Sequence, residues 1–240
     1  MMLVLTLLCR DEADILESML RFHLAQGVDR IIATDNGSVD GSLEILQRFE
    51  RRGQLTLLQE AEQTHDQAVW VTRMARMAAA MGADWVINSD ADEFWWPQQG
   101  NLNSTLAQLP ESVEGLLVER TNFLPPPRKS NGQHPFYQRQ TLRERVSRNS
   151  LGRPLPPKLI HRAHTDIEIT DGNHGALLNG RPIAAIKSNS VEILHIPIRS
   201  YEQFERKIRQ GAKALQRNKR ISPGIGDSWQ KIYANHLQKG

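Results

Sequence analysis

With a single cysteine, Cys9, in 240 residues the chain can form no internal disulfide, a usage that suits a reducing compartment. Long apolar runs are missing as well. Met1 to Leu8 is apolar, but no basic region precedes it, it is too short for a bilayer span, and no small-residue cleavage site follows. It reads as a buried first strand, and no other run is long and apolar enough to cross a membrane. Charge of one sign is not in excess: 30 Lys and Arg against 27 Asp and Glu leave +3, which creates no demand for nucleic acid. What remains, 39% hydrophobic and 24% charged residues, is the composition of a soluble globular chain large enough to bury one core. A cytoplasmic protein is expected.

The stretch that organises the rest is Trp85-Val86-Ile87-Asn88-Ser89-Asp90-Ala91-Asp92-Glu93-Phe94-Trp95-Trp96, an apolar run leading into three carboxylates. Successive side chains on a strand alternate faces, so Asp90 and Asp92 point one way and Ala91 the other. Two carboxylates that close repel by about 1–4 kcal/mol, depending on how wet the site is. A divalent cation held by oxygen ligands would offset that repulsion; a solvated acidic turn is the plainer alternative.

The strand pattern before it is regular. Residues 3–8 read as a buried parallel strand ending in Arg10-Asp11-Glu12-Ala13-Asp14, with Asp11 placed to cap a helix that Gly27 stops. Residues 30–34 form a second strand that runs into Asp35-Asn36-Gly37-Ser38-Val39-Asp40-Gly41-Ser42 and a helix. A third strand spans 55–58, a helix spans 67–81, and a fourth strand spans 84–88. Such a βαβαβαβ order makes a mostly parallel sheet with helices on both faces, whose ligands sit beyond the carboxyl ends of the strands. The polar clusters at 10–12, 35–40, 60–66 and 90–93 each follow a strand, and together they read as one site.

These residues resemble the family-2 glycosyltransferases and their GT-A-fold relatives. Arg10-Asp11-Glu12-Ala13-Asp14 is similar to the family's first acidic loop, Asp35 to Ser42 to its D-x-S-x-D-G-S/T element, and Asp90-Ala91-Asp92 to its D-x-D. The match covers about the first 95 residues, the size of a half domain. It implies a Rossmann-like GT-A domain spanning 1–240: a nucleotide-binding half (1–96), an acceptor and metal half (97–200) forming an acceptor-side subregion, and a C-terminal helical segment (201–240). It implies metal-dependent transfer of a sugar from a nucleotide diphosphate-sugar to a hydroxyl of a glycan, lipid-linked or other acceptor. Asp11 and Glu12 would then lie beside the nucleotide and Asp35 on its base or ribose, with Asp40 in the same element. Asp90 would contact ribose or metal, and Asp92 would hold Mn²⁺ or Mg²⁺. Thr64-His65-Asp66-Gln67 departs from the Asn- and Gly-rich segment of ordinary family-2 enzymes, and the Q-x-x-R-W element of processive synthases is absent. With Glu93-Phe94-Trp95-Trp96 following the D-x-D, the chain is closer to the small family-2-like and family-92-like branch, and a non-processive enzyme is implied.

The second half is sparser in signals. Residues 114–120 read as one strand, and the proline-rich run from Leu124 to Gly132 as a loop that could serve as an acceptor-side lid. Leu155 to Arg162 resembles the K-x-I-x-R segment of family-92-like sequences. His161 and His164 lack the partners of a zinc site. Many GT-A enzymes bring a late histidine back to the D-x-D metal. His195, at a strand end, and His174, in a Gly-flanked turn, both resemble it, and His195 ranks first because a strand end holds a side chain more rigidly. The resemblance implies inversion, so a carboxylate must take the acceptor proton; Asp171 is the first candidate and Glu144 the second. Ser200 caps a helix to about Asn218 with an apolar stripe (Tyr201, Phe204, Ile208, Leu215) and a basic one (Arg206, Arg209, Lys213, Arg217). That basic stripe is either a solvated face or a peripheral contact with an anionic inner membrane surface. A last apolar periodicity at Trp229, Ile232 and Tyr233 ends in a tail that reads as peripheral or cut short.

Two other readings stay open. A nucleotidyltransferase making nucleotide-sugars also uses a parallel sheet and metal-bound carboxylates, but normally carries a glycine-rich loop after its first strand; here that loop is acidic and glycine-free. A non-catalytic anion- or nucleic-acid-binding protein would rest on the basic helix alone and leave the acidic rim unexplained.

Overall fold

The computed structural model describes residues 1–60, 66–125, 135–149, 151–217 and 232–234. Thr64 and His65, Pro126 to Gly132, Asn218 and Trp229, and the side chains of Leu215 and Arg217, lie outside the described residues. The order β1 (Leu3–Cys9), α1 (Ala13–Ala25), β2 (Arg30–Asp35), α2 (Ser42–Arg51), β3 (Leu55–Gln59), α3 (Gln67–Ala80), β4 (Trp85–Asp90) follows the expected alternation. Then come β5 (Glu93–Pro97), α4 (Leu102–Ala107), β6 (Gly115–Val118), β7 (Arg120–Asn122), α5 (Phe136–Arg139), β8 (Lys158–Arg162) and β9 (Ile167–Ile169). A 3₁₀ turn (Asp171–Asn173), β10 (Ala176–Leu178), β11 (Arg181–Pro182), β12 (Ala185–Lys187), β13 (Val191–His195) and α6 (Tyr201–Arg217) complete it. The strand read over 114–120 is broken at Glu119 into β6 and β7.

Two compact units are present. The first is Met1–Glu62, Gln67–Arg120 and Pro156–Leu194; the second is Gln63–Asp66, Thr121–Leu155 and His195–Gly240. The first holds a seven-stranded sheet in the order β12-β6-β8-β4-β1-β2-β3. β4, β1, β2 and β3 run parallel, as do β6 and β12, and β8 is antiparallel between β4 and β6. Buried apolar runs produce this sheet because both of its faces are covered. Val4, Ile32, Val86 and Leu159 pack under Val71, Met74, Ala75 and Ala78 of α3. Strand alternation turns Leu3, Leu5, Leu7, Ile31 and Ile87, all fully buried, to the opposite face.

Two core histidines are structural. His23 is fully buried; its Nδ1 lies 2.9 Å from the Met19 carbonyl, and the Trp95 N–H donates to its Nε2 at 3.2 Å, so the ring is the neutral Nδ1–H tautomer. His161 closes a buried polar row across three strands. The Thr6 hydroxyl donates to Asn88 Oδ1 (2.7 Å), Asn88 Nδ2 lies 3.0 Å from His161 Nε2, and His161 Nδ1 lies 2.7 Å from the Arg162 carbonyl. With both ring nitrogens engaged, His161 has none to offer a zinc ion shared with His164.

The second unit has its own ties. The Leu124 N–H donates to the Leu142 carbonyl (2.8 Å), and the Phe123 N–H to the His195 carbonyl (2.7 Å). Ser200 caps α6 as expected, its hydroxyl accepting the Gln203 N–H at 3.1 Å. Ile232 and Tyr233 line a cavity with Tyr201, Phe204 and Ile208. Among the described residues no helix is long and apolar enough to cross a membrane.

Burial lowers both His23 and His161 to about 4 from an ordinary 6.5. The unfolded chain therefore binds more protons than the folded one between those values, and stability is full above pH 6.5 and falls as pH drops toward 4. Urea midpoints measured across that window should decline steadily. A flat profile would show that the two rings are already charged or wet in the native state.

Candidate active site

The carboxyl ends of β1, β2 and β4 lie on adjacent strands, Cys9 opposite Asp35 and Leu8 opposite Asp90. Asp11 ends β1 abruptly by taking a left-handed backbone (φ 54), which aspartate tolerates better than most residues. The cap on α1 that the sequence assigns to Asp11 comes from elsewhere. Asp11 Oδ1 accepts the Val39 N–H (2.7 Å), and α1 is capped across the rim by Asp40, whose Oδ2 accepts the Ala13 N–H (3.0 Å). Asp40 Oδ1 also accepts the Ser42 N–H (3.1 Å) and hydroxyl (2.7 Å), while Ser42 Oγ accepts the Glu12 N–H (2.9 Å). One carboxylate thus joins the starts of two helices. Asp35 Oδ2 accepts the Gly37 and Ser38 N–H groups at 3.1 Å each, and its Oδ1 is buried without a hydrogen-bond partner. Asp35 is therefore a fixed acceptor with one unused oxygen.

At β4 the structure corrects the same-face reading of Asp90 and Asp92. The strand runs to Asp90, beyond the expected 84–88, and Ala91 and Asp92 form a tight turn before β5. Alternation does not carry through a turn, and the Asp90 side chain is 36% exposed while Asp92 is buried at 2%. What offsets the carboxylates is a lysine. Lys158 Nζ, 1% exposed, lies 2.7 Å from Asp90 Oδ2 and 3.2 Å from Glu93 Oε1. Glu93 is fully buried; its Oε2 accepts the Asp90 N–H (3.2 Å), and Arg120 Nη1 stands 3.5 Å from Oε1. Burial and Asp92 would both raise Asp90, but Lys158 and Arg120 hold it below the ordinary carboxylate range. Burial pushes Glu93 up despite the same two cations, and Asp90 and Glu93 raise Lys158 against its own burial.

Neither Lys158 nor Arg120 stands out in the sequence, and Glu93 does so only as part of the acidic run. β8 is antiparallel to β4 with Ile160 opposite Ile87, so its first residue, Lys158, arrives at the last residues of β4. Arg120 follows Val118, which pairs with Lys158. The one local signal is a lone lysine opening an apolar strand in Pro157-Lys158-Leu159-Ile160.

Of the two histidines, His174 belongs to the unit that holds Asp90. Its Nδ1 lies 2.8 Å from the Pro157 carbonyl, and a Cβ on Gly172 (φ 73) would meet its Nε2 at 2.6 Å, so only glycine lets the ring lie there. Burial lowers it to about 4; Lys158 and Arg120 lower it further and Asp90 opposes them, which places the ring within their field. It is neutral at pH 7. Asp171, exposed, opens the same turn, and Asn173 Oδ1 within it is buried without a partner. His195 and Glu144 belong to the second unit. His195 Nδ1 lies 2.7 Å from Asn122 Oδ1; Asn122 Nδ2 donates to Glu144 Oε2 (2.8 Å), which also accepts the Arg148 N–H (3.2 Å). Glu144 is thereby a brace for Asn122.

Among the described residues no group of three or more His, Cys, Asp or Glu side chains is arranged to hold a metal ion alone. The rim nevertheless fits one chemically. Asp90, Asp92 and Glu93 bring carboxylates, the hard oxygen donors that suit Mn²⁺ or Mg²⁺, to the end of β4.

Residues 10–223 match the family described as Glycosyltransferase family 92. No match is found among curated proteins. Among solved structures, S. aureus TarS 1-349 shares 14% identity at a TM-score of 0.51, covering 99% of this chain and 72% of that one. The same segment in complex with UDP-GlcNAc shares 13% identity at a TM-score of 0.52, covering 99% and 73%. Identities this low show a shared GT-A fold.

Lys158→Ala would leave two carboxylates facing each other in a buried site, and should cost about 3–5 kcal/mol of stability by urea denaturation at neutral pH. A loss under about 1 kcal/mol, the worth of an exposed pair, would show that water reaches the cluster.

Proposed function

The chain belongs to glycosyltransferase family 92, and on that premise we propose that it transfers a sugar from a nucleotide diphosphate donor to an acceptor hydroxyl. The observation that carries this reading is the rim itself: three strand-end loops rich in fixed acceptors, on adjacent parallel strands, within one unit. A nucleoside offers what those acceptors need. The unused Oδ1 of Asp35 suits a base N–H or ribose hydroxyl, and the Asp90 carboxylate, held open by Lys158, suits ribose hydroxyls. Asp11 and Asp40 serve by fixing the loop, with Glu12 beside them. The donor half is 1–96 and the acceptor half is 97–200, followed by the C-terminal segment 201–240 that α6 opens.

In the reaction the acceptor oxygen attacks the anomeric carbon and forms the new glycosidic bond. The bond to the β-phosphate oxygen breaks, and the nucleoside diphosphate leaves with the electron pair. In an inverting single displacement the hydroxyl proton passes to a carboxylate, and Asp171, exposed beside the neutral His174, fits that role better than Glu144, which braces Asn122. A divalent ion on Asp92, with His174 as the histidine of the same unit, would neutralise charge on the departing diphosphate when bound. His195, whose Nδ1 lies 2.7 Å from Asn122 Oδ1, is the alternative histidine for that ion.

The test is a panel of nucleotide-sugars screened for thermal stabilisation with and without Mn²⁺. One donor should raise the melting temperature, and Asp92→Ala should remove the part that depends on metal. Stabilisation by none of the panel would overturn the reading. Asp171→Asn should keep donor affinity and lose most turnover, the pattern of a group needed only in the transition state. If Asp171→Asn transfers normally while Glu144→Gln is inactive, the base is Glu144.

A further inference from the structure

Arg10 carries a rim charge that neither the ion-pair cluster nor the loop network engages. It follows Cys9 directly, and β1 lies between β2 and β4, so Arg10 sits at the strand ends between Asp35 (opposite Cys9) and Asp90 (opposite Leu8). The side chain is partly buried, and its Nε is buried with no acceptor among the described residues. A guanidinium N–H withdrawn from water without an acceptor is costly, and a native structure keeps one only where something else completes it. The neighbouring carboxylates are aimed elsewhere: Asp11 at the Val39 N–H, Asp35 at Gly37 and Ser38, Asp40 at Ala13 and Ser42, and Asp90 at Lys158. Lys158 itself is held by Asp90 and Glu93. The rim thus holds two cations tied to its acids, Lys158 and Arg120, and beside them Arg10, which is not.

We propose that Arg10 is the anion clamp of this site, its guanidinium taking the phosphate oxygens of the nucleoside diphosphate whose nucleoside lies between Asp35 and Asp90. The inference rests on the donor reading and adds to it the group that lets an acidic rim accept an anion. Arginine suits the task because its planar fork pairs two phosphate oxygens at once and stays charged at every working pH.

The experiment is calorimetric titration of wild type, Arg10→Gln and Arg10→Lys with uridine, UMP and UDP, alongside GDP, ADP and dTDP, and a melting curve for each variant. If UDP binds wild type, Arg10→Gln should weaken UDP by about tenfold to a hundredfold, weaken UMP less and leave uridine unchanged. Arg10→Lys should recover part of the loss. The Arg10→Gln melting temperature should match wild type, since no native partner is removed. Equal losses for uridine and UDP would make Arg10 a base-stacking residue, undiminished UDP affinity would remove its role, and a lowered melting temperature would make it structural; each overturns the clamp. If wild type binds none of the diphosphates, the donor reading falls and the clamp with it. If another diphosphate binds in place of UDP, the same comparison is made with that nucleotide series.

Discussion

A buried ammonium between two carboxylates governs the arrangement of the rim. Lys158 touches Asp90 and Glu93 from a position almost closed to solvent. Removing such a charge from water is unfavourable unless partners surround it, so Lys158 and Glu93 can be buried only with Asp90 and Arg120 beside them. That condition determines the neighbouring geometry. It requires an antiparallel β8 beside β4, so that the first residue of one strand meets the last of the other, and it ties Glu93 back to the Asp90 N–H across the turn. Asp90 is consequently a carboxylate of fixed orientation and lowered pKa, one side held by lysine and the other partly open.

The other half of the rim is rigid for a different reason. Its loops have few apolar residues to pack, so carboxylates and hydroxyls bind backbone N–H groups in their place. Asp40 ties α1 to α2, Asp35 closes its own turn, and Asp11 holds Val39. Each bond is modest, but together they satisfy N–H groups that the starts of two helices leave unpaired. Most of the acidity that looks catalytic in the sequence therefore builds the loop. The atoms left over, Asp35 Oδ1 and Arg10 Nε, are the ones a ligand could complete.

Much of this rim is legible in the order of residues alone. Apolar runs ending in polar loops mark β1 to β4 and the rim at their ends, because buried parallel strands must be apolar and their connections polar. The Gly-Asn-His turn and the Ser200 cap are legible from local chemistry. Two expectations fail for the same cause. Asp11 reads as a helix cap, but Asp40, 27 residues beyond Ala13, supplies the cap. Asp90 and Asp92 read as neighbours on one face, but the strand ends between them. In both cases local periodicity extends one step past the point where tertiary contacts take over.

By itself the sequence determined the alternation of strands and helices, the rim on which polar residues gather, and the family resemblance carried by three short motifs. These are local properties: hydrophobic period, turn chemistry and spacing lie within a few tens of residues. Only the tertiary structure decided which charge meets which. Lys158 reaches Asp90 across 68 residues through strand register, and His174 enters that field while His195 is held by Asn122. Ion pairing depends on distance in space and on exclusion of water, and neither is written in the order of residues until the sheet has formed.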